Sequence, residues 1–248
     1  MNGEATDLAG SYDVAAVIAA QAERLFEEHA TPARLRQLLD KPGSFDRQLW
    51  RAAIDLGWLA GLIEAGETPA WDTLADLSRM IGRYAASVPL ANSVIAVRTL
   101  IERDPSTATR ISKGHSIVAL ALATADREEL PTLAAGKVFG SVMNCAFGAV
   151  ADIILLAARR DDEMVLLRVD TADAKTARTV GLTIDNARGA ASFEFNGAAA
   201  MLVGGHDLLA SVRSMAAVMT AFEQIGGAQR CLEMACDYAR ERRAFGQV

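Results

Sequence analysis

No proline interrupts the chain from His206 to its last residue. Apolar residues recur in this stretch at steps of three or four, which is the spacing of one face of an α-helix. They are Leu208, Val212, Met215, Met219, Phe222, Ile225, Ala228, Leu232, Ala235 and Ala239. The pattern predicts one helix of roughly 35 residues, about 50 Å long at 1.5 Å per residue. A lone helix with one apolar face in water is not stable, so it must pack on the rest of a bundle or on a partner chain.

Before residue 115 the helical spacing recurs in shorter segments that are separated by turns. Thr31 and Pro32 form an N-cap followed by a proline in the first helical position, and Ser44 is expected to cap a later helix that Gly57 ends. Residues 1–10 are expected to be a loose tail. The predicted helices cover 12–29, a segment after Pro32, a segment after Ser44, about 73–86, and 90–102. This part of the chain therefore predicts a bundle of helices joined by short turns.

From His115 onward the pattern changes to short runs rich in Val, Leu and Ile, separated by Gly, Asp and Asn. This rhythm predicts a small antiparallel β domain. The predicted strands cover 116–123, 137–142, 153–157, 164–169, 177–180, 191–195 and 199–203. The sequence thus divides into an N-terminal α-helical domain at 12–114, a middle β domain at 115–205, and a long helix at 206–248.

Composition excludes several classes of protein. The chain has 248 residues, of which 51% are hydrophobic, enough for a real core. Its net charge of −6 argues against a nucleic-acid-binding protein, which would carry a basic patch. The first residues lack the basic and apolar regions of a signal peptide, and no apolar run is long enough to span a bilayer. We therefore expect a cytoplasmic protein with neither nucleic acid nor membrane as a partner.

The chain has three cysteines, Cys145, Cys231 and Cys236. A small, odd number of cysteines does not indicate a disulfide framework. We expect them to be small buried or half-buried apolar residues in a reducing compartment. The three histidines are far apart in the sequence and have no neighbours of the kind that bind metals, so no metal site is predicted.

The end of the long predicted helix carries the most specific motif. Residues 221–246 read AFEQIGGAQRCLEMACDYARERRAFG. They resemble the helix of acyl-CoA dehydrogenases that contains Gly-x-Ala, then small apolar residues, then Tyr-Ala-x-x-Arg-x-x-Phe-Gly. The matching residues are Gly226, Tyr238, Ala239, Arg242, Phe245 and Gly246. Residues 49–63, 82–94, 151–159 and 185–205 also resemble segments of this family.

The resemblance implies an α+β multidomain fold of the acyl-CoA dehydrogenase type, with a helical domain, a β domain and only the first helix of the C-terminal helical domain. It also implies an FAD cofactor. In the family, the arginine that matches Arg242 reaches the FAD of a neighbouring subunit near its pyrophosphate, where a guanidinium suits phosphate oxygens. Phe245 and Gly246 would lie beside that cofactor. The alternative for Arg242 is a solvated basic helix end that is favourable to the helix dipole.

Two flavin-contact motifs of the family are altered in this chain. Only Thr124 can stand for the threonine of the first motif. In the second motif, Val142, Asn144 and Ala146 replace the lysine, tryptophan and threonine, so the hydroxyl that would contact flavin N5 is missing.

The catalytic base of the family is a glutamate, and this chain shows no clear equivalent. In most members the base lies in the part of the C-terminal domain that has no counterpart here, and in a minority it lies on the long helix at the position of Ala216. Glu223, two turns later, is a candidate base, because burial near a flavin can raise the pKa of a carboxyl group. The alternative is a solvent-facing or interface glutamate.

Three functions follow from the resemblance. The first is a subunit of an acyl-CoA dehydrogenase that removes hydrogens from an acyl-CoA thioester, passes electrons to an electron-transfer flavoprotein, and completes its active site with another subunit that mainly holds the FAD. The second is a self-sufficient, homo-oligomeric dehydrogenase of which this chain is a fragment. The third is a non-catalytic scaffold or acyl-ligand-binding protein of the same fold.

Overall fold

The computed structural model describes residues 4–64, 69–122 and 129–243, and side chains are described for 17–63, 71–122 and 129–243. These residues form eight α-helices and seven strands. The helices are α1 (Glu4–His29), α2 (Pro32–Leu39), α3 (Arg47–Asp55), α4 (Trp58–Glu64), α5 (Pro69–Tyr84), α6 (Leu90–Leu100), α7 (Pro105–Ser112) and α8 (His206–Glu241). The strands are β1 (Val118–Ala121), β2 (Thr132–Ala134), β3 (Lys137–Cys145), β4 (Ile153–Arg160), β5 (Glu163–Asp170), β6 (Thr176–Val180) and β7 (Ala191–Gly204). Within the described residues, no helix is long and apolar enough to cross a membrane.

Side-chain caps fix the starts of the first helices after α1. Thr31 accepts a hydrogen bond from the backbone N–H of Arg34 at 3.3 Å, as the Thr-Pro pair predicts. The prediction that Ser44 caps α3 is wrong: Asp46 accepts from the N–H of Leu49 at 3.0 Å, and Ser44 instead donates to the carbonyl of Leu38. Asp46 lies next to the first residue of the helix, whereas Ser44 lies too far upstream to reach its free N–H groups.

Three further helical predictions need correction. Residues 4–10 belong to α1 rather than to a loose tail, because Glu4, Ala5 and Leu8 are good helix formers. Helices α4 and α7 were not predicted. The start of α7 is nevertheless marked in the sequence, since Asp104 caps it and Pro105 occupies its first position.

The strands form a closed ring rather than a flat antiparallel sheet. The ring runs β4, β2, β3, β7, β5 and back to β4, with β1 added to β4 and β6 added to β7. The predicted antiparallel β domain is confirmed in most of its pairings, while β4 pairs in parallel with both β1 and β2. The two predicted strands at 191–195 and 199–203 are one strand, β7, that continues through Gly197 at a positive φ of 87°.

Strand β4 joins the two cores of the molecule because its two faces are both apolar. Ile153, Leu155 and Ala157 face the helical core, which contains most buried residues of α3 to α8. Ile154 and Leu156 face the interior of the ring of strands, against residues such as Phe193 of β7. A strand that is buried on both sides is a continuous apolar run, as ADIILLAA is in the sequence.

Helix α8 is held against α5 by direct backbone contact. A methyl group added at Gly226 would overlap the carbonyl oxygen of Arg79, and one added at Gly82 would overlap the carbonyl oxygen of Glu223. Beyond this crossing, the guanidinium of Arg83 donates to the carboxylate of Glu233 at 2.6 Å. This pairing lowers the pKa of Glu233 from its ordinary value, chiefly through the hydrogen bond from Arg83.

A second side of α8, next to the one that contacts α5, carries apolar residues that nothing covers among the described residues. Val218, Ile225 and Leu232 recur every seven positions and are 47%, 54% and 66% exposed. We call these three residues the α8 outer face.

Cys231 and Cys236 are also exposed, so the prediction that they are buried or half-buried is wrong, whereas Cys145 is buried. Helix α8 therefore has more than one apolar side, and α5 covers only the side that contains Gly226.

We predict that Gly226→Ala destabilises the protein although alanine is the better helix former. The new methyl group meets backbone that cannot move aside by rotation, and overpacking of this kind costs about 1–3 kcal/mol. The higher helix propensity of alanine offsets up to about 1 kcal/mol of this cost. Urea unfolding followed by circular dichroism should therefore show a net loss in the free energy of unfolding.

Gly227→Ala is the matched control for this prediction. A methyl group at Gly227 would lie 3.5 Å from the carbonyl oxygen of Gly82, which is ordinary contact. We expect this variant to be as stable as the wild type or more stable by up to about 1 kcal/mol. Equal stability of the two variants would show that α5 and α8 do not approach this closely.

Candidate functional site

A cleft lies between the C-terminal end of β1 and the C-terminal half of β3. It has a volume of about 450 Å³, and its wall contains Leu122, Leu130 and Pro131 on one side and residues 141–146 on the other. We call it the β cleft. The parallel pairing of β1 with β4 brings the end of β1 to this side of the ring, beside β3.

The β3 side of the cleft is shaped by residues in left-handed backbone conformations. Asn144 has φ of 51° and donates its N–H to the Ser192 hydroxyl at 3.1 Å. Phe147 has φ of 60°, which is uncommon for a bulky side chain and is tolerated only where surrounding contacts fix it. Its N–H donates to the carbonyl of Arg188 at 2.6 Å, and its ring lies edge-on to Phe45. These contacts hold the segment between β3 and β4 against the helical core.

The described residues of the β cleft do not fit the polar groups of an FAD. The three positions at which the family motif is altered, Val142, Asn144 and Ala146, all lie in its wall. Ala146 offers no hydroxyl, and the one charged residue of the described wall, Glu129, has the same sign as a pyrophosphate. No Lys or Arg lies in the described wall, so a cation for a diphosphate would have to come from outside it.

Cys145 is the one thiol in the described wall, and its environment makes it unreactive. Its thiol is buried, and burial raises its pKa to about 11. Because the thiolate is the reactive form, a thiol with this pKa is almost entirely protonated at neutral pH. The β cleft therefore holds an inert cysteine rather than a catalytic one.

Arg242 lies directly after α8, well exposed to solvent. Its guanidinium lies over the ring of Tyr238, 5.5 Å from the ring centroid. The neighbouring Arg240 pairs with Asp237 at 3.0 Å, whereas Arg242 has no carboxylate partner in the described part of the chain. Stacking on Tyr238 leaves the donor groups of Arg242 available for an anion outside this chain.

Glu223 is not a free carboxylate. It forms an ion pair with Arg188, whose guanidinium donates to it at 3.3 Å through one nitrogen and more closely through another. Arg188 also pairs with Asp185 at 2.9 Å. A carboxylate whose oxygens already accept hydrogen bonds from a guanidinium is poorly placed to accept a proton from a substrate.

The structure does not gather all the predicted site residues in one place. Thr124, Phe245 and Gly246 lie outside the described residues. Glu223 and Ala216 border a small cavity under α6 and do not belong to the wall of the β cleft. Arg188 was missed from the sequence. Its segment, DNARG, resembles an ordinary turn, and its partner Glu223 is 35 residues further along the chain.

Within the described residues, no group of three potential ligands could hold a metal ion.

The chain resembles known proteins in sequence. No model of a known protein family matches it. Acyl-CoA dehydrogenase FadE27 of Mycobacterium tuberculosis is 30% identical over 233 residues, which include 87% of this chain and 62% of FadE27. Acyl-CoA dehydrogenase IpdE2 of Mycolicibacterium smegmatis is 29% identical over 231 residues, or 90% of this chain and 63% of IpdE2. The chain thus spans less than two thirds of the length of these curated relatives.

A solved structure shares the fold closely. The crystal structure of the ChsE4-ChsE5 complex from Mycobacterium tuberculosis matches with a TM-score of 0.82 and 25% sequence identity. The match covers 94% of this chain and 68% of the chain in that complex.

We predict that the three thiols differ strongly in reactivity. At pH 8, iodoacetamide should alkylate Cys231 and Cys236 of the folded protein, whereas Cys145 should react roughly two orders of magnitude more slowly, because so little of it is thiolate. Peptide mass spectrometry measures the three rates, and alkylation in denaturant provides the reference in which all three react alike. Alkylation of Cys145 at the rate of the other two would contradict its placement.

Proposed function

We propose that this chain, which belongs to the acyl-CoA dehydrogenase family, is one subunit of a heteromeric acyl-CoA dehydrogenase. The complex would catalyse the α,β-dehydrogenation of an acyl-CoA thioester and pass electrons to an electron-transfer flavoprotein. In this proposal another subunit of the same family mainly holds the FAD, and this chain contributes Arg242 to it. The structural likeness to a chain of the ChsE4-ChsE5 complex, which contains two differently named proteins, supports a heteromeric assembly.

Arg242 is the observation that carries the proposal. It is an exposed guanidinium without a carboxylate partner in the described part of the chain, and it lies at the end of a helix that projects beyond the helical core. A planar guanidinium can form two parallel hydrogen bonds with a phosphate. Since Arg242 does not line the β cleft of its own chain, its natural anion belongs to another subunit.

The β cleft also supports binding of the FAD mainly by the partner subunit. In its described wall, Ala146 stands where the family motif has a threonine, so the hydroxyl that would contact the flavin is missing. The flavin is therefore better bound by the partner.

We also propose that residues 12–114, 115–205 and 206–248 act as three structural units. The gap between the end of α7 at Ser112 and the start of β1 at Val118 supports the first boundary. The start of α8 at His206, directly after β7, supports the second. In the proposed complex the third unit carries the contact with the partner's cofactor.

A non-catalytic scaffold is the alternative, and the α8 outer face favours it. Val218, Ile225 and Leu232 form an exposed apolar stripe of the kind that marks a protein contact. Such a protein would bind a subunit through this stripe without affecting any flavin. Loss of flavin on substitution of Arg242 separates the two functions.

We predict that this chain alone purifies without flavin, and that a complex with a co-purifying acyl-CoA dehydrogenase subunit shows the flavin absorption band. In that complex, Arg242→Ala should weaken FAD binding roughly 10- to 100-fold, as expected for loss of a charged hydrogen bond of about 1.5–3 kcal/mol. Reconstitution of the flavin-free complex with FAD, followed by fluorescence, measures the dissociation constant.

Arg240→Ala is the control, because Arg240 is on the same exposed helix end but pairs with Asp237. We expect this variant to bind FAD as the wild-type complex does. A stoichiometric flavin band in the chain alone would contradict the proposal. Unchanged FAD binding in Arg242→Ala, with the complex intact, would favour the scaffold function instead.

A further inference from the structure

Two cavities meet at the middle of α8. An outer groove of about 430 Å³ is open to the surface between α2, the end of α5 and α8. An inner cavity of about 70 Å³ lies between α5, α6 and α8. Three residues, Arg188, Thr220 and Glu223, belong to the walls of both. The partition between the cavities is therefore made largely of the Arg188–Glu223 ion pair.

Arg188 is carried on a backbone that several contacts fix in place. Its carbonyl accepts from the N–H of Phe147 at 2.6 Å, and the carbonyl of the preceding Ala187 accepts from the buried hydroxyl of Ser87. The next residue, Gly189, accepts from the N–H of Ala149 at 2.8 Å. The turn that carries Arg188 is thus not free to move aside, and only the side chain stands between the cavities.

Glu223 is equally fixed on the other side. Its carbonyl oxygen is the atom that lies closest to Gly82, at the backbone contact of α5 with α8. Its carboxylate reaches across to Arg188, and both side chains are more than half buried, with 33% of Arg188 and 22% of Glu223 exposed. Two charged groups at this depth hold each other firmly, because removing one leaves the other without its partner.

The inner cavity has apolar residues along part of its wall but not the volume of a ligand site. Its wall includes Ile81, Val88, Ile95 and Met219. Ligand pockets usually have volumes of roughly 300 Å³ or more, so a cavity of about 70 Å³ accepts no acyl chain. Joined to the outer groove, it would reach the size of an ordinary ligand pocket.

We propose that the side chains of Arg188 and Glu223 form a plug that shuts the inner cavity off from the outer groove and keeps acyl chains out of it. Glu223 then acts as a closing residue and not as a base. The inference rests on the proposed function in one respect, namely the choice of an acyl thioester as the excluded ligand. It explains, from this chain's own residues, why a subunit of this family would leave substrate binding to its partner.

The test uses the full chain alone, without flavin or partner, and the butanoyl thioester of N-acetylcysteamine as an uncharged acyl probe. Methionine methyl groups are labelled with ¹³C, and Met219 reports on the inner cavity while the exposed Met234 reports on the surface. Met219→Leu assigns the Met219 signal. We expect the Met219 signal of the wild type to stay unshifted, and that of Glu223→Ala and Arg188→Ala to shift with a Kd at least tenfold lower than in the wild type.

Two controls separate opening of the plug from other effects. Glu223→Gln keeps the size and the hydrogen bond of the side chain and should behave as the wild type. Gln224→Ala changes only the outer groove and should leave Met219 unshifted. Thermal unfolding of each variant identifies any that does not fold, and the other alanine variant then carries the test, because Arg188 and Glu223 lie on separately fixed backbones.

Binding at Met219 in the wild type as tight as in the alanine variants would overturn the plug. So would an unshifted Met219 in folded alanine variants, or binding to Glu223→Gln as tight as to Glu223→Ala. None of these results touches the role of Arg242, which is measured by FAD binding in the complex. Failure of the plug and failure of the proposed function are therefore distinguishable.

Discussion

The backbones of α5 and α8 touch at Gly82 and Gly226, where neither helix has a side chain to hold them apart. Close packing of two rigid helices at one crossing fixes their relative position along their whole lengths. Because α8 contains 36 residues and extends about 54 Å, this contact determines where all its functional groups lie. It places Met219 and Glu223 against the helical core and carries Arg242 out beyond it.

The two ends of α8 consequently have different environments. Leu209 and Val212 near its start are fully buried against the strands and helices, whereas Leu232 and Tyr238 near its end are mostly exposed. The buried end belongs to the stable framework. The exposed end combines an apolar stripe with Arg242, which has no carboxylate partner among the described residues. This composition suits contact with another molecule rather than the stability of this chain.

The β cleft and the inner cavity are each unsuited to catalysis, for separate reasons. The described wall of the cleft contains no Lys or Arg, and Val142 and Ala146 are apolar where the family motif has a lysine and a threonine. The inner cavity is lined by suitable apolar side chains but is shut by a pair of charges. An altered wall is visible in the sequence as a changed motif. A shut cavity is not, because both of its closing residues are common on protein surfaces.

The sequence by itself determined the local structure and the family resemblance. Helical spacing and the Thr31-Pro32 pair predicted α2 and α8 because these signals depend on residues a few positions apart. Only the tertiary structure decided which glycine contacts which helix, that Asp46 rather than Ser44 caps α3, that Cys231 and Cys236 are exposed, and that Glu223 is bound by Arg188. These facts depend on residues brought together from distant parts of the chain, and apolar periodicity does not specify which face of a helix will be covered or by what.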